Sequence, residues 1–174
     1  GNHNYENVMA AIAMTIEAGV PLNIIINVIK DFMGVEHRIE YVRDKNGVRY
    51  YNDSKGTNPD SSIKALEAMS RPTILIAGGY DKHSEFDEFI EAFDNKVKLM
   101  VLLGQTADKI EETAVRHGFT NIIKTDSLEK AVKICAENAV SGDVVLLSPA
   151  CASWGMFKNY EERGKLFKEY VNSL

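Results

Sequence analysis

The chain has 174 residues, 45% of them apolar, which suits one ordinary domain or a domain with an appendage. Twenty-five acidic residues against 20 lysines and arginines give a formal charge of -5 and no basic run, which excludes a general nucleic-acid binder. No apolar stretch reaches the ~20 residues that span a bilayer, no export signal opens the chain, and Cys135 and Cys151 make neither a disulfide framework nor a CxxC pair, so a cytoplasmic protein without a membrane is expected.

The first elements are helical. Asn4 to Ala18 places Val8, Ala11, Ile12, Thr15 and Ile16 along one side, with Asn4 as its cap, and Gly19 ends it. Pro21 opens a second helix, Leu22 to Phe32, closed by Gly34. Two helices without a strand do not make a domain, and this pair reads as the end of a larger unit. From Glu36 the pattern changes. Ile39–Val42 and Val48–Tyr51 flank Lys45-Asn46-Gly47, a hairpin signal carried by Asn-Gly. A polar loop, Asn52 to Asp60, leads into a helix from Ser61 to Met69, with Asp60 or Ser61 as its cap.

Strands and helices then alternate. Thr73–Ala77 precedes Phe86–Phe93, and Val97–Leu103 precedes Ala107–His117. Asn121–Lys124 precedes Leu128–Ala139, and Asp143–Leu147 precedes Tyr160–Val171. Uninterrupted apolar runs such as Leu99 to Leu103 and Val144 to Leu147 suit strands covered on both faces. The pattern predicts an α/β fold: a Rossmann-like, doubly wound, mainly parallel six-stranded sheet with one antiparallel hairpin strand, preceded by two helices.

In such a sheet the loops after the parallel strands share one edge, where ligands bind. Here they are Asn52 to Thr57, Gly78 to Lys82, Gly104 to Thr106 and Ser148 to Ser153. Glycines permit close backbone approach, hydroxyls donate to oxyanions and the two lysines bring charge. Each loop alone reads equally well as a connection; their convergence favours a pocket for an anionic small molecule bearing carboxylates or phosphates. Sharper motifs are missing. There is no GxxxxGK[ST] loop and no GxGxxG after the first parallel strand. His3, His37, His83 and His117 lack metal-ligand spacing, so no metal site is expected. Cys151 with His37 or His83 as base is a weaker reading than a buried, inert thiol, and Ser153 is not in a GxSxG elbow.

Four motifs occur in order: Gly1-Asn2-His3-Asn4-Tyr5-Glu6-Asn7, His37-Arg38-Ile39-Glu40, Asn52-Asp53-Ser54-Lys55-Gly56-Thr57-Asn58 and Leu147-Ser148-Pro149-Ala150-Cys151-Ala152-Ser153. Together they resemble the second half of a Mur ligase, most closely the D-glutamate-adding branch of that family, over essentially the whole chain. The resemblance implies a three-domain enzyme of peptidoglycan synthesis. ATP phosphorylates the carboxylate of UDP-N-acetylmuramoyl-L-alanine, and the amine of D-glutamate attacks the acyl phosphate to give an amide, phosphate and ADP. By the same resemblance residues 1–34 are the last helices of the central domain, which binds ATP and Mg²⁺, and residues 35–174 are the C-terminal domain, which brings in the amino acid. The phosphate loop and the Mg²⁺ ligands then lie upstream, with the N-terminal domain and most of the central domain, and this fragment alone is expected to be inactive.

The resemblance also assigns residues. Asn4 and Asn7 match asparagines that face the adenine, and Arg38 and Asp53 a pair that approaches the ribose and phosphates. Thr57 and Lys82 match groups holding the α-carboxylate of D-glutamate; Ser153 matches the hydroxyl for its γ-carboxylate, aided by amides near Trp154 and Tyr160. Lys55 and His37 are catalytic candidates without an assigned step. Gly56 stands where the family usually has alanine, and Gly155 where an acidic residue is common. Two rivals remain: another amino-acid-adding ligase of the superfamily, and a non-catalytic α/β anion-binding module.

Overall fold

A computed structural model describes residues 2–32 and 34–174, and the side chains of all of these except residues 2–4. The chain divides into two compact units, Gly1–Val35 and Glu36–Leu174.

The first unit is a helical pair, α1 (Asn2–Glu17) and α2 (Leu22–Asp31). Helix α1 starts two residues before the expected cap, so Asn4 lies within its first turn. Val8, Ile12 and Thr15 are half-buried, whereas Ala11 and Ile16 of the expected stripe are exposed. On α2 only Ile25 is buried, while Leu22, Ile24, Ile26, Val28 and Ile29 are exposed. A helix apolar on several sides belongs in an interior. No helix among the described residues is long and apolar enough to cross a membrane.

The second unit runs β1 (Glu40–Lys45), β2 (Val48–Asn52), α3 (Pro59–Glu67), β3 (Thr73–Ala77), α4 (Asp87–Glu91), β4 (Val97–Leu102), α5 (Ala107–Arg116), β5 (Ile122–Lys124), α6 (Leu128–Asn138), β6 (Val144–Leu147) and α7 (Tyr160–Ser173). The sheet order is β1-β2-β6-β3-β4-β5; β1 pairs with β2 antiparallel, and the other pairings are parallel. Asn46 and Gly47 both take positive φ, 55° and 80°, the geometry a two-residue hairpin demands.

Because side chains alternate across a strand, neighbours feed opposite layers. Leu75, Met100 and Leu146 pack with Leu66, Phe89 and Ile110 of α3, α4 and α5. Ile74, Val101 and Val145 pack with Val132, Phe167 and Val171 of α6 and α7. The sheet is thus covered on both faces, as the uninterrupted apolar runs predict.

Some boundaries move. Helix α3 is capped by Asn58, whose side chain accepts from Ser61 N–H at 2.9 Å with Pro59 behind it, rather than by Asp60 or Ser61. Helix α4 is shorter than Phe86–Phe93 because Asp94 and Asn95 turn left-handed, with φ of 39° and 57°. Ile39 lies outside β1, at φ 46°.

Candidate functional site

Strands β2, β6, β3 and β4 run in the same direction, so their following loops leave one edge of the sheet. They are fastened to one another there. Asp53 N–H donates to Leu147 C=O at 2.7 Å, Gly78 N–H to Pro149 C=O at 2.8 Å and Tyr80 N–H to Ala152 C=O at 2.9 Å. The buried Thr106 hydroxyl accepts from Gly79 N–H at 3.0 Å and lies 3.2 Å from Cys151 Sγ. The approach is so close that a Cβ on Gly79, at φ +156°, would stand 2.4 Å from Ala152 C=O. Burial pushes the Cys151 thiol up to about 11, so it is no nucleophile at neutral pH.

Arg163, on the first turns of α7, ties two of these loops from beneath. Its guanidinium is 2% exposed and donates to Ser54 Oγ at 3.0 Å, Ser54 C=O at 2.7 Å and Cys151 C=O at 3.1 Å. The Ser54 hydroxyl in turn donates to Tyr160 C=O at 2.8 Å. Burial brings the guanidinium down to about 10, still charged at neutral pH.

Asp53 is turned inward. One carboxylate oxygen accepts from Ile39 N–H at 3.2 Å, the other from Ser148 Oγ at 2.7 Å. Burial raises its carboxyl to about 6, against the opposing pull of those hydrogen bonds and of the Arg38 and Arg163 charges. Gly56 packs against this group: a Cβ there would meet the Asp53 carboxylate at 2.5 Å. The glycine leaves room for the inward carboxylate. Gly155 stands in open space at φ +81°, a conformation that an acidic residue would adopt only with strain.

His37 is buried in the wall of the site. Asn52 Nδ2 donates to its Nδ1 at 2.9 Å and to Glu40 Oε2 at 2.9 Å. The imidazole is therefore neutral with its proton on Nε2, in keeping with burial lowering its pKa. Its C=O accepts from Lys55 N–H at 3.0 Å, and its ring lies against Gly164, where a Cβ would come within 2.3 Å of Nδ1. These contacts make His37 a brace for the Lys55 loop. Glu36, His37 and Glu40 converge as metal ligands would, but the Lys168 ammonium occupies the two carboxylates at 2.7 and 2.9 Å.

The other expected residues distribute as follows. Lys82 is exposed, two residues beyond the Tyr80–Ala152 bridge, and no carboxylate pairs with it among the described residues. Ser153 is buried immediately after that bridge, and Thr57 is half-buried in the loop after β2, which neighbours β6. Three predicted anion-binding groups thus share the edge, on loops from adjacent strands. Trp154 is exposed and rests on Tyr80 with ring centroids 5.4 Å apart. Lys55 Nζ lies 5.4 Å from the Tyr160 ring, and Asn159 caps the helix that Tyr160 opens. Arg38 is exposed; Asn7 is exposed on α1, in the other unit, and the Asn4 side chain lies outside the described residues. Sequence reasoning missed Arg163 and Ser62 and named Thr106 and Ser148 only as members of the edge loops; all four are buried polar side chains.

A family model described as Mur ligase, glutamate ligase domain, matches residues 37–151. The chain belongs to the Mur ligase family. The match takes in His37, Arg38, Asp53, Lys55, Thr57 and Lys82 and stops two residues short of Ser153. This Mur ligase chain is 67% identical over 174 residues to UDP-N-acetylmuramoylalanine–D-glutamate ligase of Lachnospira eligens. It is 56% identical over 176 residues to the ligase of the same name from a Thermoanaerobacter species. In both cases the whole chain is covered but only 39% of the relative's length. Among solved structures, UDP-N-acetylmuramate-alanine ligase from Thermotoga maritima matches with a TM-score of 0.73 at 18% identity, over 99% of this chain and 38% of that one. Folylpolyglutamate synthase from Thermotoga maritima matches at 0.64 and 16% identity, over 99% and 39%. At these identities the likeness is one of fold, and it places the Mur ligase chain among Rossmann-like α/β domains.

Proposed function

We propose that this chain is the C-terminal part of the ATP-dependent ligase that adds D-glutamate to UDP-N-acetylmuramoyl-L-alanine. Residues 1–34 are then the last helices of the central domain and 35–174 the amino-acid-bringing domain. The observation that carries the reading is the meeting of the Thr57, Lys82 and Ser153 loops on one sheet edge, joined across the Tyr80–Ala152 bridge. A dicarboxylate needs two anion sites at a fixed separation. Lys82 supplies a point charge with Thr57 beside it for the α-carboxylate. Ser153 and the amides following it supply the other site. The amine of D-glutamate, held at both carboxylates, attacks the acyl-phosphate carbon; the C–N bond forms, the C–O bond to phosphate breaks, and the proton lost from nitrogen ends on the departing phosphate or in solvent.

On the nucleotide side the proposal gives Arg38 the phosphates and ribose, and Asn4 and Asn7 the adenine. ATP and Mg²⁺ supply the phosphoryl group and its charge neutralisation in the full-length enzyme. Among the described residues, Asp53, Glu36 and Glu40 do not fit a Mg²⁺ site: Asp53 spends both oxygens on Ile39 N–H and Ser148 Oγ, and Glu36 and Glu40 hold Lys168. On this reading the chain alone neither ligates nor hydrolyses ATP. The working compartment is the cytoplasm, and the partners are the enzyme's own N-terminal and central domains.

The reaction is tested by offering the full-length enzyme ATP, UDP-N-acetylmuramoyl-L-alanine and, in parallel, D-glutamate, L-glutamate, L-alanine or meso-diaminopimelate. Phosphate release coupled to amide formation with D-glutamate alone is expected. Preference for another amino acid would favour the rival ligase; no turnover with any would favour the binding module.

A further inference from the structure

Arg38 stands between two residues in unusual backbone conformations. His37 has φ 64° and Ile39 has φ 46°, and for a β-branched residue the left-handed region is an outlier. Such strain persists only when surroundings fix it. Two contacts do so here: His37 N–H donates to Glu40 Oε2 at 3.0 Å, and Ile39 N–H donates to Asp53 at 3.2 Å. Asp53 is 4% exposed, and its second oxygen is 2.7 Å from Ser148 Oγ. Ser148 Oγ is 2.8 Å from Ser62 Oγ, which accepts from Ala150 N–H at 3.0 Å. Ser62 and Ser148 are both fully buried. With Asp53 ionised, proton direction is fixed along the row: Ser62 O–H donates to Ser148, and Ser148 O–H donates to the carboxylate. The row joins α3, the end of β6 and the end of β2 to the turn that carries Arg38.

We propose that Ser62 and Ser148 are positioning residues for Arg38: their hydroxyls hold the Asp53 carboxylate, and Asp53 holds the strained turn at residues 37–39. Asp53 then serves the nucleotide through the backbone of Ile39 rather than by presenting its own oxygens. The inference rests on the nucleotide role proposed above for Arg38.

The test uses the full-length enzyme and the variants R38A, S148A, S62A and R38A/S148A. S148A is expected to raise KM for ATP about tenfold, the scale of a lost hydrogen bond to a charged group. S62A should do so less, and neither should move KM for D-glutamate. In the R38A background S148A should add nothing further, since it acts through Arg38. Hydrogen exchange of the peptide covering residues 36–41 should quicken in S148A, while that of β4 stays unchanged. S148A and S62A with normal KM for ATP, while R38A is impaired, would overturn the inference alone. So would an S148A effect of the same size in the R38A background. R38A with normal KM for ATP would overturn the nucleotide reading and this inference together. Should S148A fail to fold, the milder S62A carries the same comparison.

Discussion

Asp53 shows how a single buried group sets function against stability. Its folded value of about 6 lies above the ordinary aspartate value of 3.8, so the folded chain takes up this proton first as pH falls. Stability from this group therefore falls as pH rises from about 4 to about 6, and the cost is fully present above that. The difference corresponds to roughly 3 kcal/mol. The groups facing it are Ile39 N–H, Ser148 Oγ and the charges of Arg38 and Arg163, and all of them favour the ionised form; desolvation outweighs them. Asp53→Asn keeps the shape without the charge, and its amide can donate to Ser148, which then donates to Ser62. Thermal melts across this pH range should show a higher Tm than wild type at neutral pH and a shallower pH slope. An equal slope in the two proteins would contradict the assignment. The same residue scale explains what sequence reading could not find. Arg163 follows Tyr160-Glu161-Glu162, a run that reads as a solvated helix face, yet its partners are the Ser54 hydroxyl and the main-chain oxygens of Ser54 and Cys151. No local pattern marks an arginine whose acceptors lie in distant loops.

At the scale of elements, most of the sheet was legible because its strands are continuous apolar runs and its helices carry period-3.6 stripes. The hairpin was legible because Asn46-Gly47 admits the two positive φ angles. Helix ends were less so. Asn58 won the cap of α3 from Asp60 and Ser61 because Pro59 suits the first helical position, and α4 stopped early at two left-handed residues. The anion-binding loops could be named from glycine, hydroxyl and lysine content. Their mutual fastening by Thr106 and Arg163 could not, since it depends on which loops are neighbours in space. The helical pair behaves differently from the sheet unit. Ile25 is the buried residue of α2, whereas the sheet unit has two layers of buried apolar side chains. A chain cut to residues 36–174 should therefore unfold in one cooperative transition, within a few degrees of the Tm of the full 174 residues. A broad, non-cooperative melt of residues 36–174 would show that the helical pair is needed for the core.

At the scale of the whole molecule, the chain belongs to the Mur ligase family, and its loops gather at one edge of the sheet. The family match spans residues 37–151, while the edge is completed by Ser153 and by α7 beyond it. The chain spans 39% of the length of its Lachnospira eligens relative. Within the chain, Thr57, Lys82 and Ser153 form one proposed group, and Arg38 with Asp53, Ser148 and Ser62 behind it forms another. One group is assigned to the amino acid and the other to the nucleotide, and kinetics can address them independently. The measurement is KM for D-glutamate and for ATP, each determined separately, in full-length Lys82→Ala and Ser153→Ala enzymes. Loss of a charged partner such as Lys82 should cost ~1.5–3 kcal/mol, a tenfold or larger rise in KM for D-glutamate. KM for ATP should stay within about twofold, because neither side chain belongs to the nucleotide group. A raised KM for ATP with an unchanged KM for D-glutamate would contradict the placement of the amino acid on this edge.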